Sequence, residues 1–173
     1  MQKEINMLES LSNNLEKIIR KQGDVMSLLI YPLLIVVVYE VAMRYVFNAP
    51  TTWGFELTTF LYGIHYMFGL AYTDVYDGHV KVDVFVNLLS ERVQAGLKIL
   101  TNLVFFMPVT ICLSLWSIKY AYVSTMATEL NSTSWAPAIW PIKILMAVGM
   151  ILLLLQGIAN VINDINAFKK NRG

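Results

Sequence analysis

Charge is scarce in this sequence. Only 14% of its 173 residues are Asp, Glu, Lys or Arg, while 57% are hydrophobic. A soluble domain carries about 25% charged residues, so this chain lacks the polar side chains to cover a globule in water and reads as a membrane protein. Its 13 basic and 12 acidic residues leave a net charge of +1, too little for a field that would draw in nucleic acid. The single cysteine, Cys112, lies in an apolar run, which excludes an intramolecular disulfide and a cysteine metal cluster. No apolar core follows closely behind a short basic start, as a secretory signal requires. The first long apolar run begins at Val25, so the N-terminal segment is expected to remain in the mature protein. A nucleophile–base set, a phosphate-cradling glycine loop and metal-ligand spacing are all missing from the pattern, so neither an enzyme nor a cofactor is expected. Nor is there an internal repeat, a low-complexity tract or a soluble domain.

What is present is helical patterning. Ile5, Leu8, Leu11, Leu15, Ile18 and Ile19 recur at spacings of three and four, with Glu4, Glu9, Glu16, Lys17, Arg20 and Lys21 on the other face. This predicts an amphipathic interfacial helix over 1–23 lying on the membrane, or one packed on a soluble partner. Gly23 is expected to stop it and Asp24 to start the next. Four apolar stretches at about 25–47, 54–74, 92–124 and 141–165 reach the ~20 residues that a bilayer core needs. Pro32 should kink the first. Thr110, Ser114, Ser117 and Ala121 form a small-residue stripe on the third, suited to close helix packing. Gln156 and Asn160, one turn apart on the fourth, should face protein rather than lipid. Between spans two and three, the alternating valines 80–86 fit a strand as well as a helix. A lone strand would leave its ladder unpaired, so a short interfacial helix is expected. The fold class predicted is thus an all-α, four-span membrane protein forming one domain over 1–173.

The loops carry the remaining signal. Arg44 to Leu57 gathers charge, aromatic rings and a helix breaker between the first two spans. Pro50 should end the incoming helix by Asn48 or so. Thr52 can cap the next helix, Glu56 lies in its first turn, and Tyr45 and Trp53 suit a membrane boundary. Residues 129–141, with Trp135, Pro137, Trp140 and Pro141, suggest a bent interfacial loop before the last span. Lys3, Lys17, Arg20, Lys21, Lys81, Arg92, Lys98, Lys169, Lys170 and Arg172 fall on one side of the four-span topology, and only Arg44, Lys119 and Lys143 on the other. That bias puts both termini in the cytoplasm.

Charged and titratable residues in membrane helices are functional candidates. Glu40 and Arg44 are one turn apart and can pair. Counting about 1.5 Å per residue from Asp24, Glu40 lies roughly 24 Å along the helix, so the pair is shallow and reads first as a structural anchor. His65, about 16 Å from Gly54, is nearer mid-depth. A proton relay or haem ligand is conceivable there, but His79 would lie about 21 Å away, too far to serve the same haem. The plainer reading is a histidine bonded to a neighbouring helix. Lys119 and Lys143 can snorkel outward. Four thin helices with few polar groups also make a poor solute pathway.

Three loops together resemble the small membrane subunit of tripartite ATP-independent periplasmic (TRAP) transporters, the DctQ/SiaQ type. They are Arg44, Asn48, Pro50, Trp53, Glu56 and Leu57; then Gly78-His79-Val80-Lys81-Val82-Asp83 with Leu88-Leu89; then Trp135, Pro137, Trp140 and Pro141. The resemblance implies a sodium-driven importer of organic acids in a bacterial inner membrane. A periplasmic substrate-binding protein would deliver a carboxylate, of the sialic acid or C4-dicarboxylate class with a lean to sialic acid. A large permease subunit would carry the substrate and sodium sites. The small subunit would be a scaffold and part of the docking surface. The basic tail 169–173 suggests that the large subunit is a separate chain. On this reading Arg44, Trp53 and Glu56 brace the outer hairpin, with Glu56 paired to Arg44 or to the large subunit. His79 and Asp83 fix the inner loop, and Trp135, Pro137 and Trp140 shape the outer surface. The alternatives are a self-sufficient small multidrug-type exporter built on Glu40, and a haem- or quinone-binding anchor.

Overall fold

A proline sets where the first long helix bends. In the computed structural model, which describes residues 2–79, 86 and 89–170 (the side chains of 2–6, 8, 91, 92, 169 and 170 apart), α1 spans Gln2–Ser27 and α2 spans Ile30–Tyr45. The expected stop at Gly23 does not occur; the helix passes through it. The break falls at Leu28–Leu29, because Pro32 has no N–H to offer the Leu28 carbonyl. Tyr31 N donates to that carbonyl instead at 3.2 Å, and the Leu28 and Leu29 amides close tight turns onto Val25 and Met26 at 3.2 and 3.1 Å. Gly23 has a different use: the Tyr72 ring lies so close to α1 that a Cβ there would run into it.

Helix α3 spans Gly54–Val75, α4 Glu91–Thr101, α5 Met107–Met126 and α6 Trp140–Lys170. A π-helical turn, Asn102–Phe106, joins α4 to α5, with the Met107 amide on the Asn102 carbonyl. Pro108 in the first turn of α5 can give no bond to the preceding turn, and the widened turn absorbs the gap. Among the described residues the fold is all-helical, and three stretches are long and apolar enough to cross a membrane: Glu9–Tyr45, Val93–Met126 and Trp140–Phe168. The fourth expected span, α3, has 22 residues and a length of about 33 Å, but Glu56, His65, Asp74 and its tyrosines and threonines lower its hydropathy. The short helix expected between spans two and three falls outside the described residues.

Helix α6 is the hub, packing on α1, α3, α4 and α5, while α2 packs on α3. Small residues let it serve that many neighbours. Thr110, Ser114, Ser117 and Ala121 are all buried, as their spacing predicts, and Ser124 extends the stripe. Ser114 Oγ donates to the Met150 carbonyl of α6 at 3.2 Å. A Cβ on Gly149 would stand 3.3 Å from the Met67 carbonyl, and one on Gly157 2.6 Å from the Phe106 ring. Ile19, Ala71 and Leu153 form a core where α1, α3 and α6 meet. Helix α1 docks there by its Ser12, Glu16, Ile19 and Gly23 edge, leaving Met7, Leu11 and Ile18 exposed along one line.

Candidate functional site

Two loops close one end of the bundle. Helix α2 ends at Tyr45, and Asn48 turns the chain with φ of 50°, a left-handed conformation that asparagine tolerates. Below the turn, Glu40 is buried and accepts hydrogen bonds from Arg44 Nη2 at 2.9 Å and from Thr51 Oγ1. The same Thr51 hydroxyl accepts from the Gly54 amide at 3.0 Å, so Thr51, not Thr52, caps α3. Thr51 is chosen because its hydroxyl can bridge the helix start to the carboxylate of α2. Gly54 leaves the room: a Cβ there would meet Glu40. Trp53 stacks on Tyr39 of α2, with centroids 5.7 Å apart. Glu40 is thus committed to its own hairpin, an anchor rather than the mobile carboxylate that a self-sufficient exporter needs.

The second loop, between α5 and α6, is pinned to the first. Glu56, in the first turn of α3, does not pair with Arg44; it accepts from Asn131 Nδ2 at 3.2 Å. Arg44 is taken by Glu40 on its own helix face, and Asn131 reaches Glu56 because the second loop folds over α3. That loop is held by Asn131 N on the Pro137 carbonyl at 2.8 Å and Ile139 N on the Glu129 carbonyl at 3.0 Å, with Ala136 at φ of 46°. Trp135 remains partly exposed and Trp140 opens α6. Lys143 does more than snorkel. It is buried, bonds Glu129 and lies 3.9 Å over the Tyr120 ring. The ammonium's hydrogen bond holds the Glu129 carboxyl below the usual carboxylate range.

The opposite end is tied by carboxamides. Gln156, 1% exposed, donates to Asn160 at 2.9 Å, and Asn160 donates to Asp74 at 2.7 Å, so both face protein as their spacing predicts. Ser12 of α1 donates to Asn163 at 2.7 Å, and Asn163 donates to Glu16 at 2.9 Å. Tyr72 donates to Asp24 at 3.1 Å, and Arg20 lies 4.3 Å over the Tyr76 ring. His79 lies at this end, 3.9 Å from Asp74, just past a helix end closed by Asp77 at φ of 56° and the Gly78 amide on Thr73. His65 meets the Met26 carbonyl at 3.1 Å, at the break between α1 and α2, which is the bond to a neighbouring helix.

The structure therefore gathers Arg44, Trp53, Glu56, Trp135, Pro137 and Trp140 at one end and places His79 at the other; Asp83 lies outside the described residues. The residues that sequence reasoning missed are Thr51, Asn131, Asp74 and the Glu129–Lys143 pair. Their partners lie 11, 75, 86 and 14 positions away, and only helix packing brings them together. Among the described residues, no three of His, Cys, Asp and Glu converge as a metal site.

No curated protein matches the sequence. A family model does, over residues 33–167, covering most of the chain and both loops of the hairpin end: tripartite ATP-independent periplasmic transporters, DctQ component. These are transporter components, not enzymes, and they work with DctM and DctP partners. With its apolar helices, its paired hairpin end and a match of that length, the chain belongs to the DctQ family, the small membrane subunits of TRAP transporters.

Proposed function

We propose that this chain is the fixed brace of a sodium-coupled importer of organic acids, of the sialic acid or C4-dicarboxylate class. In this reading it holds a separate large permease subunit in the inner membrane. Its hairpin end gives part of the docking surface for a periplasmic substrate-binding protein. It crosses the membrane four times, with α3 as the second span, α1 and the segment after α3 at the cytoplasmic interface, and both termini in the cytoplasm. The observation that carries the brace role is internal pairing. Glu40 goes to Arg44 and Thr51, Glu56 to Asn131, and Glu129 to Lys143. Polar groups spent on tying helices to one another make a stiff body, as a scaffold requires. The exposed line of Met7, Leu11 and Ile18 on α1 suits a helix sunk into the headgroup region. The sodium coupling and the substrate class rest on the family resemblance alone.

Arg44, Trp53, Glu56, Trp135, Pro137 and Trp140 are proposed to shape the periplasmic end, and His79 and Asp83 the cytoplasmic loop. The test is to replace Arg44 or Asp83 with Ala and measure recovery of the large subunit and solute uptake in membrane vesicles. Loss of either is expected. Full recovery together with full uptake overturns these roles. Uptake by the purified chain alone in liposomes overturns the brace reading itself.

A further inference from the structure

Resting on that reading, we propose that the large subunit packs on the face of α3 that carries Phe55, Tyr62 and Tyr66, with Arg44 at its outer end. Tyr62 and Tyr66 are 57% and 55% exposed, and their rings stack at 6.1 Å. They lie eight and twelve residues beyond Gly54, so about 12 and 18 Å along the helix, near the middle of a ~30 Å hydrocarbon layer. Tyrosine belongs at the membrane boundary, where its hydroxyl meets water. Neither hydroxyl has a hydrogen-bond partner among the described residues. Lipid tails have no acceptor to offer, so this surface needs protein opposite it.

Three further observations agree. Helix α3 is the long helix between the hairpin loops that falls short in hydropathy, and part of its polar content lies on this exposed side, Thr59 among it. By contrast, the middle of the exposed side of α2 shows Leu34, Ile35, Val38 and Val41, aliphatic groups that lipid covers well; its exposed tyrosines are Tyr31 and Tyr45 at the two ends and Tyr39, whose ring stacks on Trp53. Gly63 flanks the tyrosines and opens on empty space, with nothing within 4 Å of an added Cβ, so a second helix can approach the backbone there. At the outer end, Arg44 is half-exposed and uses one nitrogen on Glu40, in a notch shared with Phe55 and Thr58. A guanidinium has five N–H donors, so several remain to be met. The occupant that fits is a membrane helix with a carboxylate or carbonyl opposite Arg44 and acceptors at mid-depth opposite the tyrosines. A second, parallel copy of this chain fits badly, since symmetry would bring Arg44 to the level of Arg44.

The experiment is photo-crosslinking in the complex co-expressed with the large subunit. A benzophenone amino acid is placed at Tyr62 or Tyr66, and for comparison at Ile35 or Val38. Adducts with the large subunit from positions 62 and 66 but not from 35 and 38 are expected. Gly63→Leu should lower recovery of the large subunit at least tenfold without lowering the melting temperature of the chain itself. Tyr62→Phe and Tyr66→Phe should each weaken recovery about threefold, the size of a hydrogen bond in a membrane interior. Adducts with lipid only, with another copy of this chain, or equally from positions 35 and 38 overturn the proposed surface. If the large subunit still co-purifies in those cases, the brace reading stands. If it never co-purifies with the unaltered chain, both fall.

Discussion

Asn160→Asp tests whether carboxamide ties hold the helices together. Asn160 Nδ2 donates to Asp74 at 2.7 Å, and Asn160 Oδ1 accepts from Gln156 at 2.9 Å. The substitution keeps the shape and the Gln156 bond but sets a second carboxylate against Asp74. Two unit charges about 4 Å apart repel by about 4 kcal/mol at an effective dielectric constant near 20. Keeping one of them protonated at neutral pH, about three pH units above its ordinary value, has a similar cost of about 4 kcal/mol. With relaxation, a loss of about 2–4 kcal/mol is expected, or a fall in Tm of roughly 4–16 °C for a chain of this size. Asn160→Leu, which removes both bonds and adds no charge, should lose about 1–3 kcal/mol, roughly 0.6–1.7 kcal/mol for each bond. The decisive variant is the exchange Asp74→Asn with Asn160→Asp. It restores one donor facing one acceptor and leaves Gln156 an oxygen at position 160, so stability should return to within about 1 kcal/mol. The assay is thermal unfolding of the detergent-solubilised chain, followed by size-exclusion fluorescence. If the double variant loses the sum of its two single losses, or if Asn160→Asp melts with the parent, the two side chains are not coupled and the reasoning fails.

Four other outcomes follow from the same geometry. Gly23→Val should lower stability by about 1–3 kcal/mol by driving Tyr72 off α1, whereas Gly96→Ala, where a Cβ meets nothing, should raise it by about 1 kcal/mol; paired melting curves check both. Thr128 has φ of 44° at the end of α5, a left-handed conformation that a β-branched residue resists, so Thr128→Gly should stabilise by about 1 kcal/mol in the same assay. The Glu129 carboxyl is held low by Lys143, so its contribution is complete above the ordinary carboxylate value of about 4.3 and disappears as pH falls through the depressed one. Glu129→Gln should therefore flatten the acid limb of the Tm–pH curve, and an unchanged limb contradicts the pairing.

Composition and periodicity were enough to make this a bundle of membrane helices. With 57% hydrophobic residues the side chains suit lipid, and because lipid offers the backbone no hydrogen-bond partner, the backbone must pair within itself as helices. The stripe of Thr110, Ser114, Ser117 and Ala121 and the pair Gln156 and Asn160 were also legible, because a helix puts such residues on one face whatever packs there. So was the Glu40–Arg44 pair, a single turn apart. What the chain order could not reveal was which groups meet across helices. Glu56 had two plausible partners, and it met a third, Asn131, because the second loop folds over α3. Lys143 seemed free to snorkel until Glu129 and Tyr120 came beside it. Gly23 carries the usual signal of a helix end, yet it serves as the seat of Tyr72, and the break moved to the carbonyl that Pro32 leaves unmet. A local pattern fixes local geometry because backbone sterics and hydrogen bonds act within a few residues. Pairings over tens of residues depend on how helices cross, and only the packed structure decides that.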